Sequence, residues 1–142
     1  MKIQVINGPN MNMLGIREPE IYGALTLEEI NRQLKEKGDS MGIALEFFQS
    51  NSEGAIIDKI QECYGNADGI VINPGAYTHY SIAIRDAIAA VGIPTVEVHL
   101  SDINSREDFR KISVMKNVCV KQIWGKGVDS YKEALDFLMK KH

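Results

Sequence analysis

Two of the chain's three histidines stand where polar residues interrupt or close apolar runs. His99 ends the run Val96-Glu97-Val98, and His79 follows Asn73-Pro74-Gly75-Ala76-Tyr77-Thr78. Glu97 is the most informative of these residues, because a carboxylate between two valines is destined for burial and needs a partner. A nearby imidazole supplies one, and a carboxylate that orients a histidine suits general acid catalysis. A second candidate pair is Arg17 and Tyr22. A phenol with a pKa of about 10 is a poor base at neutral pH, and a neighbouring guanidinium would stabilise its phenolate. Each feature also has a plainer reading. His99 alone reads first as structural, Asn73-Pro74-Gly75 equally as a turn, and Tyr22 equally as a plug between loop and body. Arg106 and Arg110 could hold a small carboxylate or hydroxyl substrate. They could equally sit on a solvated helix face, which suits Lys111 better than Arg110.

These residues gain meaning from the elements that carry them. Apolar runs at Ile3–Ile6, Ile43–Phe48, Gly69–Ile72, Thr95–Val98 and Val118–Ile123 read as strands. Helical spacing separates them. Leu27, Ile30 and Leu34 follow a capping box of Thr26 and Glu29, with Gly42 as the stop. Ile56, Ile57, Ile60, Cys63 and Tyr64 share one face. Ile84, Ala87, Ile88 and Val91 precede Gly92 and Pro94, and Tyr131, Ala134, Leu135 and Leu138 form the last stripe. Ser105 to Arg110 reads as a capped helical turn. Strands alternating with helices imply right-handed crossovers and a parallel sheet covered on both faces. The expected fold is α/β, a flavodoxin-like three-layer sandwich with a five-stranded parallel sheet in the order 2-1-3-4-5. In such a sheet ligands bind beyond the carboxyl ends of the strands. Asn7, Asn10, Asn73, His79, Glu97, His99, Ser101 and Asp102 all fall at that edge.

One connection is abnormally long. Gly8 to Leu25 joins the first strand to the first helix, where about 2–6 residues are usual. It carries Met11, Met13, Leu14, Ile16 and Tyr22 as apolar anchors, so it reads as a lid over about 8–25.

The composition sets limits. The chain has 142 residues, 44% hydrophobic and 25% charged, which is one ordinary globular domain spanning 1–142. Sixteen basic against 19 acidic residues give a net charge of −3, too acidic for a general nucleic-acid binder. No run approaches the ~18 apolar residues of a membrane span, and the opening lacks a signal peptide's apolar stretch. Cys63 and Cys119 have neither CxxC nor metal-ligand spacing, so they read as reduced packing thiols of a cytoplasmic protein. No Walker A motif occurs, and Gly125-Lys126-Gly127 follows the last strand rather than the first. Asn7 and Asn73 stand where a response regulator would carry acids.

Taken together the motifs resemble the type II 3-dehydroquinate dehydratases over essentially the whole chain. The resemblance rests on Asn7-Gly8-Pro9-Asn10-Met11-Asn12-Met13-Leu14-Gly15, Arg17-Glu18-Pro19, Tyr22-Gly23 and Gln49-Ser50-Asn51-Ser52-Glu53-Gly54. Asn73 to His79, Ile84-Arg85-Asp86-Ala87, Val96 to Ser101 and Arg106 to Arg110 continue it in order. It implies a cofactor-free lyase that removes water from 3-dehydroquinate by anti elimination through an enolate, in the shikimate pathway or in quinate catabolism. By match of motif, Tyr22 is the base, Arg17 stabilises its phenolate, and His99, supported by Glu97, protonates the departing hydroxyl. Asn10 helps hold a water on the enolate oxygen. Asn73, His79, Arg106, Arg110 and the amides of Leu100 and Ser101 surround the substrate. The family assembles as dodecamers built from trimers, with an aspartate from a neighbouring subunit reaching the site, and Asp86 is the matching position. Departures from the usual pattern are Met11, Met13, Tyr80, Asp102, Asn104, Ile112 and Ser130. Two other readings are a flavodoxin-like module that binds a small anion without catalysis, and an inactive scaffold. The first has no need of Tyr22 and Arg17, and the second predicts a decayed site.

Overall fold

In the computed structural model, residues 1–16, 20 and 25–142 are described. Five strands form one parallel sheet: β1 (Lys2–Asn7), β2 (Ala44–Gln49), β3 (Gly69–Asn73), β4 (Thr95–His99) and β5 (Lys121–Trp124). Their order is β2-β1-β3-β4-β5, the one expected for a flavodoxin-like sheet. Among the described residues, four α-helices cover it: α1 (Leu27–Met41), α2 (Glu53–Glu62), α3 (Ile82–Val91) and α4 (Val128–Lys141).

Strand side chains alternate between faces, and the two cores follow that period. Ile3, Val5, Val71, Val96 and Val98 pack with Ile30 and Leu34 of α1 and Leu135 and Leu138 of α4. Ile6, Ile70 and Ile72 pack on the opposite face with Ile56 and Ile60 of α2 and Ile84 and Ile88 of α3. The same alternation sorts the polar strand ends. Asn7 and Asn73 share the α4 face, whereas Glu97 and His99 share the other.

The expected caps are present. Thr26 Oγ1 accepts from Glu29 N at 3.2 Å, and α1 stops at Gly42 in the left-handed region (φ 71°). Ser52 and Ser81, which sequence reasoning did not single out as caps, cap α2 and α3 through the amides of Ala55 and Ile84. Each such cap is worth about 1 kcal/mol.

Several expectations need correction. The fifth strand begins at Lys121, not Val118, because the amides of Val118 and Cys119 turn back to the Met115 carbonyl. Tyr64 lies beyond α2 and is 71% exposed. Ser105 to Arg110 is no single capped turn. Two short 3-10 turns, Ile103–Ser105 and Asp108–Arg110, flank an extended Arg106. Of the anchors in the long connection, Met11 and Leu14 are buried in the core, whereas Met13 and Ile16 are exposed. Arg17, Tyr22 and the middle of the expected lid lie outside the described residues.

Candidate active site

At the carboxyl end of the sheet, the loops leaving β1 and β3 touch. Gly8 N donates to Asn73 O at 2.8 Å. A Cβ at Gly8 would stand 2.5 Å from the Pro74 carbonyl oxygen, so only glycine permits this approach. Two residues on, Asn10 takes the left-handed conformation (φ 68°), which asparagine tolerates better than most residues. The Gln49–Ser52 segment at the end of β2 holds that loop in place. Asn51 Oδ1 accepts from Asn10 N at 3.0 Å, and Gln49 Nε2 donates to Gly8 O at 3.2 Å.

A cleft partly open to solvent forms beside these loops. Pro9, Asn10, Met11, Asn73, Gly75, Ala76, His99, Leu100, Arg106 and Arg110 line it. Six predicted site residues therefore meet on one surface: Asn10, Asn73, His99, Leu100, Arg106 and Arg110. Others border it. Ser101 Oγ accepts from Arg106 Nη2, which ties the strand end to the basic segment. Asp86 is not among the lining residues. It is exposed on α3, and its Oδ1 lies 3.3 Å from Arg85 Nη1.

Behind His99 sits Glu97, 0% exposed. His99 Nε2 lies 2.6 Å from Glu97 Oε2, which also accepts from Thr78 Oγ1. The second carboxylate oxygen accepts from Ser113 Oγ at 2.8 Å and Gln122 Nε2 at 2.7 Å. Burial alone would push the Glu97 carboxyl up. The hydrogen bonds and charge of His99, with those of Thr78 and Gln122, outweigh it and hold the carboxyl below its ordinary value. An ionised carboxylate only accepts, so Nε2 of His99 is the protonated nitrogen facing it. Nδ1 is the ring nitrogen left for chemistry. Sequence reasoning paired Glu97 with His99 but missed Thr78, Ser113 and Gln122. Their spacing carries no signal, because each comes from a different segment.

His79 is tuned differently. Burial lowers its pKa, the hydrogen bond to Ile112 opposes this, and the charges of His99, Arg110 and Arg106 lower it further. Its Nδ1 lies 2.7 Å from the Ile112 carbonyl, which can only accept. Neutral His79 therefore donates from Nδ1 and presents Nε2 as an acceptor.

Beneath the cleft, Tyr131 is wholly buried. Its hydroxyl donates to Asn7 Oδ1 at 2.5 Å and accepts from Asn73 Nδ2 at 3.0 Å. The helical stripe identified Tyr131 as a core residue and gave no hint of this bridge.

Among the described residues, no three His, Cys, Asp or Glu side chains gather as a metal would require. Nor is any described helix long and apolar enough to cross a membrane. Both thiols are free. Burial pushes Cys119 up to about 12 and raises Cys63 as well, so neither is a ready nucleophile.

A family model described as dehydroquinase class II matches residues 1–139. A 3-dehydroquinate dehydratase of Sulfurimonas denitrificans is 58% identical over 135 residues, which are 95% of this chain and 84% of that protein. One from a Nitratiruptor species is 60% identical over 135 residues, 95% and 86% of the two chains. Among solved structures, a type II dehydroquinase from Butyrivibrio crossotus superposes with a TM-score of 0.96 at 58% identity, covering 97% of each chain. A 3-dehydroquinate dehydratase-like protein from Bifidobacterium longum reaches 0.73 at 29% identity, covering 97% of this chain and 94% of that one.

Proposed function

Because the chain belongs to the class II dehydroquinase family, we propose that it removes water from 3-dehydroquinate to give 3-dehydroshikimate. The observation that carries this reading is the buried Glu97–His99 pair opening onto a cleft that also holds Asn10, Asn73, Arg106 and Arg110. His99, held through Nε2, donates a proton from Nδ1 to the departing hydroxyl. Glu97 stabilises the imidazolium that this step requires. Arg106 and Arg110 supply positive charge for the substrate carboxylate, with the amides of Leu100 and Ser101 beside them. Asn73 and the Nε2 acceptor of His79 take hydroxyl groups. Asn10, in its left-handed turn, holds a water against the enolate oxygen.

Tyr22 and Arg17 complete the mechanism by resemblance. Arg17 keeps Tyr22 ionised, and the phenolate removes the proton from the carbon beside the ketone. The charge that develops on oxygen is met by fixed dipoles, the usual source of a large rate gain. The family match also supports a cofactor-free route and a dodecamer built from trimers. In that assembly, Asp86 serves a neighbouring subunit's site. A cytoplasmic setting fits the two free thiols.

The direct test is to incubate the protein with 3-dehydroquinate and follow the absorbance of the conjugated enone. No turnover from folded protein refutes the reading. A binding module without catalysis would use the same basic cleft, but it has no use for a buried carboxylate that orients a histidine.

A further inference from the structure

We infer that Tyr131 is a positioning residue for the dehydration, acting through Asn73, whose contact with substrate rests on the function proposed above. The argument begins with register. Asn7 and Asn73 are directly paired residues of β1 and β3, and both point to the α4 face. Tyr131 comes from the first turns of α4 and places one hydroxyl between them. That hydroxyl has a single proton, which it gives to Asn7 Oδ1 at 2.5 Å. Toward Asn73 it can therefore only accept, and it does so from Nδ2 at 3.0 Å.

This bond and one from Gly75 N together decide which way the Asn73 amide faces. Nδ2 is drawn down to the tyrosine, and Oδ1 accepts from Gly75 N at 3.1 Å. What remains for the cleft is the second Nδ2 hydrogen and the second Oδ1 lone pair, in one fixed arrangement. A flipped amide would set Oδ1 against the phenol oxygen and Nδ2 against the Gly75 amide, both repulsive. Burial raises the Tyr131 hydroxyl pKa well above its usual value, so it stays a neutral donor throughout the working pH range. Gly75 is itself a lining residue, so the same chain of bonds also sets the cleft wall.

Tyr131→Phe keeps the ring and its packing while removing the bridge. Two readouts separate the outcomes. In 15N-labelled protein without substrate, the Asn73 side-chain amide protons should exchange about tenfold faster or more in Tyr131→Phe, while the β3 backbone amides keep their protection. Unchanged Asn73 exchange overturns the inference. In turnover assays KM should rise about tenfold, with kcat within about threefold of the parent. The double variant Tyr131→Phe/Asn73→Ala should be no worse than Asn73→Ala alone, because both changes remove one function. An unchanged KM, or effects that multiply in the double variant, would show that Tyr131 is merely structural. If the parent protein itself fails to turn over 3-dehydroquinate, the dehydratase reading falls, and the amide exchange still decides the role of Tyr131.

Discussion

Replacing Glu97 by glutamine tests the core of the mechanism, because the change removes one charge and almost no volume. Four donors converge on this carboxylate: His99 and Thr78 on Oε2, Ser113 and Gln122 on Oε1. A glutamine can keep its carbonyl oxygen toward His99 and Thr78. Its amide nitrogen then faces Ser113, whose hydroxyl turns to accept, and Gln122, whose amide flips. The site should therefore fold. What is lost is the anion 2.6 Å from Nε2 of His99. A hydrogen bond to a charged group is worth about 1.5–3 kcal/mol. Each 1.36 kcal/mol is tenfold in rate, so kcat should fall by roughly ten- to hundredfold. KM should change little, because the imidazolium is needed at proton transfer rather than at binding. Steady-state kinetics on Glu97→Gln, with a thermal melt to establish folding, is the assay. A folded variant within about threefold of the parent kcat would refute the claim that Glu97 supports His99 as the acid.

Three other outcomes are expected. Tyr22→Phe should abolish turnover while an unreactive substrate analogue still binds by calorimetry, and a near-normal rate would remove Tyr22 as the base. Gly8→Ala should lower the melting temperature by the equivalent of roughly 1–3 kcal/mol, because its Cβ would meet the Pro74 carbonyl oxygen at 2.5 Å. Activity should fall further than stability, since Asn10 and Gly75 ride on the same contact. Acid unfolding should also report Glu97. Its folded pKa lies below the ordinary value of 4.5, so its stabilisation is present above that value and is lost as pH falls through the lower folded one. Urea midpoints followed down that range should drop in the parent and drop less in Glu97→Gln.

How much of this was legible in the residues varies along the chain. The strands themselves, the Thr26 cap and the Gly42 stop follow from local pattern, since apolar period, capping and left-handed glycine act within a few residues, whereas the strand order came from the flavodoxin-like fold that a chain this short favours. The link between Glu97 and His99 was also readable, because a carboxylate between valines has few physical solutions. The errors share one cause. Val118 to Val120 have the composition of a strand, yet the turn at Met115 claims two of their amides. Met13 and Ile16 have the hydropathy of anchors, yet among the described anchors only Met11 and Leu14 reach the core. Composition specifies what a residue can do, and competition for backbone partners and space decides what it does.

The sequence by itself therefore determined the class of fold, the sheet edge where the candidate residues gather and the residue types at that edge. Tertiary structure decided how those residues are held. Thr78, Ser113 and Gln122 reach Glu97 from three separate segments, and Tyr131 joins Asn7 to Asn73 across 124 and 58 positions of chain. Contacts at such separations leave no periodicity to read, because they depend on where the folded chain brings distant segments together. The amide orientation of Asn73 and the protonated nitrogen of His99 exist only once that packing is in place.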